Sequence, residues 1–189
     1  MRGMLIREAV AADAAGIARV HFDTWQTAFR GIVPDGYLQS ASYEKRKSAW
    51  EVALCRQDRT KLVGVAEDEA RQIVGFAVAG PERTGAAEYS GELEAIYVLQ
   101  SHQRQGIGRS LIAWAAERLV QAGMSSMLVW TLADSPYRPF YEVLGGKLVR
   151  ETERNFGGLM LKVVGYGWSD THLPAAESVL HDNPLDAIS

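Results

Sequence analysis

The run Gln103-Arg104-Gln105-Gly106-Ile107-Gly108 carries the most chemical information in this sequence. Two glycines one residue apart let backbone N–H groups converge with no side chain in the way, which is the chemistry of anion binding, phosphate above all. Upstream, Leu93 to Val98 is a short run of apolar, β-branched and aromatic residues, the composition of a buried strand. Downstream, Gly108 to Val120 puts Leu111, Ala115 and Leu119 on one face with Ile112 beside them, so an amphipathic helix follows. Strand, glycine turn and helix start aim free amides and the positive helix end at one place. Two better-known glycine motifs fail here. The position three after Gly108 is Leu111, which excludes the dinucleotide fingerprint, and no Gly-Lys-Ser/Thr follows, which excludes the P-loop. Arg104 and Arg109 flank the turn as candidate phosphate partners.

A second group of residues could move protons. Glu92 and Glu94 stand two apart on the predicted strand and so share a face. The stretch Asp134 to Gly146 reads D-S-P-Y-R-P-F-Y-E-V-L-G-G and brings Asp134, Phe140 and Tyr141 into one segment. Other chemistries find little support. The four histidines have no ligand spacing, so no metal is expected. Cys55 is the one cysteine, which excludes an internal disulfide, suits a reducing cytoplasm, and leaves no partner to make it a nucleophile. Trp25, Phe29 and Tyr37 read either as walls of an acceptor pocket or as core, and His21 on the apolar face reads as structural.

The Gln/Arg-x-x-Gly-x-Gly pattern directly after a strand resembles the acetyl-CoA-binding motif of the GNAT superfamily of N-acyltransferases. The resemblance implies acetyl-CoA as co-substrate. Its pyrophosphate would lie on Arg104, Gln105, Gly106, Ile107, Gly108 and Arg109, and its pantetheine arm along Ile96, Tyr97 and Val98. Phe140 and Tyr141 match the family's Phe-Tyr pair, and Asp134 stands where the family usually has the cofactor-contacting Asn. Tyr141 would then protonate the departing thiolate. Ile6-Arg7, Asp13, Trp25 and Ala28-Phe29-Arg30-Gly31-Ile32-Val33-Pro34 resemble a GNAT subgroup with Trp-x-x-Ala-Tyr-Arg-Gly-Ile, Phe29 replacing the Tyr. With Gly165-Tyr166-Gly167-Trp168 the likeness spans residues 4 to 168.

Transfer to an amine needs a base. At a pKa of ~10.4 about one amine in 2,500 is neutral at pH 7, so deprotonation costs ~4.6 kcal/mol. Glu92 occupies the place where several GNAT enzymes carry a Glu acting through water, with Glu94 as the alternative. The presence of both Tyr141 and Glu92 favours an enzyme over a non-catalytic acyl-CoA sensor of the same fold. The acceptor is expected to be a small-molecule amine or a peptide N-terminus.

These residues need a scaffold, and the rest of the chain supplies one. Strands are predicted at 5–10, 61–67, 72–81, 93–98, 127–132, 147–152 and 159–164. Helices are predicted after Asp13 as cap, at about 43–54, at 108–120 and from Asp134 to Leu144 with Pro139 inside. The order β-α-α-β-β-β-α-β-α-β-β predicts an α/β (α+β mixed) fold, a mostly antiparallel central sheet flanked by helices, and it is the GNAT element order. A length of 189 residues suits one domain over 4–168, with 169–189 as a tail. A net charge of −3 argues against nucleic acid. No run reaches the ~18 apolar residues of a membrane span, and the start lacks a signal-peptide core. A cytoplasmic protein is therefore expected, and the fold that the resemblance implies is compatible with a homodimer.

Overall fold

The computed structural model describes residues 3–40, 42–56 and 60–171. Its elements are β1 (Leu5–Glu8), α1 (Ala14–Ala28), α2 (Asp35–Ser40), α3 (Tyr43–Cys55), β2 (Leu62–Glu67), β3 (Ile73–Pro81), β4 (Gly91–Val98), α4 (Ile107–Gln121), β5 (Met127–Leu132), α5 (Arg138–Val143), β6 (Lys147–Phe156) and β7 (Leu159–Trp168). The seven strands form one sheet in the order β1-β2-β3-β4-β5-β7-β6. Every neighbouring pair is antiparallel except β4 and β5. Periodicity decides which residues the helices bury. Ile17, Val20, Thr24 and Ala28 of α1 are buried, as are Leu111, Ile112, Ala115 and Leu119 of α4. α1 packs on Val65, Phe76 and Val78 with Trp50 of α3, whereas α4 packs on Ala66, Ala77, Ala79 and Leu93 across the sheet. Successive strand residues alternate between these two layers.

The N-terminal strand is fastened by charge. Arg7 reaches both oxygens of Asp13, at 2.7 and 2.9 Å, and holds Glu67 of β2 through Nε and Nη2 at 3.0 and 2.6 Å. Asp13 also accepts from the Val10 N–H at 2.8 Å. Its carboxylate is thus committed backwards and makes no side-chain cap on α1, contrary to the sequence expectation.

Other boundaries differ for local reasons. α2 is an extra helix of six residues, too short for a periodic signal, started by Tyr37 and Leu38 donating to the Pro34 carbonyl. α5 begins at Arg138 and not at Asp134. Pro139 therefore lies in its first turn, where a missing N–H breaks no helical bond. β6 and β7 run to Phe156 and Trp168, because β7 pairs with β6 over nearly its whole length and with β5 from Val163 to Trp168. Most of the expected tail lies outside the described residues. Thr171 does not: it is buried and donates to Met124 and Ser125 carbonyls.

Candidate active site

The two parallel strands part company early. β4 and β5 pair only over Gly91–Leu93 with Met127–Val129. β5 continues against β7 to Leu132, and β4 against β3 to Val98. From Glu94 onward β4 therefore has one open edge. The Leu99 N–H donates to Val74 on the β3 side, and main-chain groups alternate along a strand. Tyr97 thus turns its main chain to β3, while Ile96 and Val98 turn theirs to the open edge. The Val98 carbonyl accepts from Gln103 Nε2 at 3.1 Å, which ties the turn to the strand.

A bulge sets the side chains. The β3–β4 register slips between Val78 and Ala79, so Glu94 has no opposite partner. Strict alternation would put Leu93 on the face opposite Ile96 and Val98. Instead these three side with the α4 layer, and Ala95 and Tyr97 with the α1 layer. Bulges leave no compositional mark, which is why sequence parity misses this one.

Beyond β4 the chain enters the glycine turn. Arg104 has φ 58° and Gly106 φ 82°, both left-handed, and Gly106 is the residue preceding α4. The first turn of a helix has no acceptors behind it, and the N–H groups of Gly106, Ile107, Gly108 and Arg109 donate to nothing among the described residues; the ladder starts with Ser110 on Gly106. A Cβ on Gly108 would come within 3.3 Å of the Phe140 ring, so this glycine also lets α5 approach α4. Arg104 is exposed and Arg109 half-buried, and neither forms an ion pair among the described residues. Asp134, in the turn after β5, is exposed and makes no bond there either.

Tyr141 comes from α5. Its ring stacks on Tyr166 at 5.7 Å and meets Trp168 and Phe140 edge-on. Tyr166 is itself pinned, accepting from Arg138 Nε at 3.1 Å and donating to Glu142 at 2.6 Å. The Tyr141 hydroxyl has no hydrogen-bond partner among the described residues. Burial, and secondarily the Tyr97 phenol, pushes its pKa well above the usual tyrosine value.

On the α1 side of β4 lies a cavity of about 1030 Å³. Glu94 is on its wall, held by Lys61 Nζ at 2.9 Å and Arg83 Nη1 at 2.8 Å. Glu92 is not on the wall. It is 3% exposed, and its oxygens take Arg83 Nε at 3.0 Å, Nη2 at 2.9 Å and the Arg83 backbone N–H at 3.3 Å. His21, Arg46 and Trp50 line the cavity as well. Burial first, then the Arg46 charge, pushes the pKa of His21 down to about 3. Sequence reasoning missed Arg46, Trp50 and Arg83. Arg83 had one signal: it lies just past β3, opposite a predicted pair of glutamates.

No three His, Cys, Asp or Glu side chains gather into a metal site among the described residues, and Cys55 is exposed off the cavity wall. No described helix is long and apolar enough to cross a membrane.

Residues 20–145 match the family described as Acetyltransferase (GNAT) family. The chain is 41% identical over 176 residues to the uncharacterized N-acetyltransferase YuaI of Bacillus subtilis (strain 168), covering 93% of this chain and 98% of that one. Its fold is similar to that of PaiA N-acetyltransferase from Thermoplasma acidophilum in complex with coenzyme A (TM-score 0.68, 18% identity, 85% of this chain and 98% of that one). It is also similar to YncA, a putative acetyltransferase from Salmonella typhimurium with acetyl-CoA (TM-score 0.65, 21% identity, 88% and 93%).

Proposed function

The chain belongs to the acetyltransferase (GNAT) family, and we propose that it moves an acetyl group from acetyl-CoA to a primary amine by direct attack in a ternary complex. The observation that carries this reading is the open edge of β4 running straight into the amide-lined turn before α4. A pantetheine arm has amides that an unpaired strand edge can satisfy, and a pyrophosphate has the charge that four free N–H groups favour. Ile96 and Val98 would hold the arm. Gly106, Ile107, Gly108 and Arg109 would hold the phosphates through their amides, with the side chains of Arg104 and Arg109 adding charge. Gln105 and Asp134 would lie at the margin of this site. That similar folds carry coenzyme A and acetyl-CoA supports the same ligand here.

The amine nitrogen attacks the thioester carbonyl, the C–S bond breaks, and two protons must move. Tyr141 gives its proton to the departing thiolate; its raised pKa keeps that proton available at neutral pH. For the amine we assign the base to Glu94, acting through water, because it faces the cavity. Glu92 takes a positioning role, since three N–H groups of Arg83 occupy it and Arg83 in turn fixes Glu94.

The test is thiol release from acetyl-CoA over a panel of primary amines, with acetylated product identified by mass. Amine-dependent release with matching product supports transfer. CoA binding without turnover of any amine would leave a sensor domain instead.

A further inference from the structure

Three arginines here use, or offer, the same edge of the guanidinium. Arg7 holds Glu67 through Nε and Nη2, and Arg83 holds Glu92 through Nε and Nη2. Arg46, on α3, has that edge empty. Its Nε is buried with no partner. Its Nη1 sits 2.6 Å from His21 Nε2, and its guanidinium lies over the Trp25 ring at 5.0 Å. Nη2 has no partner among the described residues and, unlike Nε, is not sealed off. No carboxylate pairs with Arg46 there, although it lines the large cavity.

Of the other charges on the cavity wall, Lys61 and Arg83 are matched to Glu94, Lys45 leans on the Ser40 carbonyl at 3.4 Å, and Glu8, at the exposed margin, lies 3.9 Å from Arg118. Arg46 is the cation left partly desolvated without a counter-charge, an arrangement that costs free energy unless an anion arrives. His21 accepts the Arg46 Nη1 proton and is itself stacked on Tyr97 at 5.3 Å. The cavity thus has two poles: Glu94 beside the open edge of β4, and Arg46 on α3.

We propose that the acceptor is a small amine that also carries a carboxylate, and that Arg46 is the residue that binds this carboxylate. This rests on the transferase reading and adds the substrate class to it. The amine would lie towards Glu94 and the acid on Nη2, gaining Nε as the guanidinium turns slightly. A planar fork suits a carboxylate better than a lysine would, because two parallel N–H groups fix its orientation. A polyamine would instead place like charge against Arg46.

The test uses matched ligands: amino acids of increasing amine-to-acid spacing, each beside its carboxamide and its decarboxylated amine. Binding is titrated calorimetrically on the full chain with and without CoA, and kcat/KM is measured with acetyl-CoA. At least one acid should bind tenfold or more tighter than its amide, with the gap appearing in KM. Arg46→Gln should collapse that ratio, and Arg46→Lys should restore part of it. An unchanged melting temperature and CoA response in Arg46→Gln would show that the fold survives. Equal binding of acid and amide by wild type, preference for a polyamine, or a preference untouched by Arg46→Gln overturns the proposal. Loss of the CoA response in wild type counts against the transferase reading instead, and the CoA-free titration still decides the acceptor.

Discussion

At the scale of single residues, one hydroxyl and one carboxylate carry the proposed chemistry. The Tyr141 ring is packed on three aromatics, but its hydroxyl bonds to nothing among the described residues. Removing the oxygen should therefore cost chemistry and little else. Tyr141→Phe is expected to lower turnover about 10²-fold, the low end for general acid catalysis, because a CoA thiolate with a pKa near ~8.5 is already a fair leaving group. Melting temperature and CoA affinity should barely move; equal turnover under rate-limiting chemistry would return Tyr141 to the core. Glu94→Gln should depress turnover most near neutral pH and recover as rising pH deprotonates the amine unaided. A pH–rate profile parallel to wild type would take the role from Glu94. Tyr141 stands out in the sequence because a local spacing marks it. The proposed preference for Glu94 over Glu92 does not, because it rests on Arg83, which reaches both from a loop.

At the scale of elements, most of the scaffold could be read from apolar periodicity. Two of the misses depend on partners distant in sequence, and the others are local. The bulge at Glu94 is a matter of register with β3, and the length of β6 and β7 is a matter of their mutual pairing. Asp13 looked like a helix cap, but Arg7 claims its carboxylate. That clamp ties β1, β2 and α1 together and carries a pH signature. Burial alone pushes the Asp13 pKa up, but the bonds from Arg7 and Val10 hold it below the usual value. Bonds from Arg7 and Arg71 depress Glu67 against a smaller effect of burial. With folded pKa values below the unfolded ~3.9 and ~4.3, the stabilisation is complete above those values and is lost as pH falls through the depressed ones. Arg7→Ala should cost about 1–3 kcal/mol at pH 7, because the buried Asp13 carboxylate keeps only the Val10 N–H, while Glu67 still has Arg71. Melting curves from pH 7 to pH 2 should show wild type losing more stability on acidification than the variant. Parallel loss would make the clamp incidental.

At the scale of the whole molecule, a seven-stranded sheet is opened at one seam, with the glycine turn and its free amides on one side and a charged cavity on the other. The turn was visible in the sequence as two glycines between a strand and a helix. The cavity was not, because its walls come from β1, α1, α2, α3, β2, β3, β4 and the loop after β3. The proposed transfer requires the seam to take CoA. A helix N-terminus supplies only about 0.3–2 kcal/mol towards an anion, whereas micromolar affinity requires ~8 kcal/mol, so the open edge of β4 must contribute much of the rest. The most direct test is a CoA titration of the melting temperature, with Gly108→Glu alongside. Wild type should be stabilised progressively through the micromolar range. Gly108→Glu, which sets a negative charge among the free amides at the start of α4, should show no response. A wild-type melting temperature that stays flat up to millimolar CoA would contradict the account.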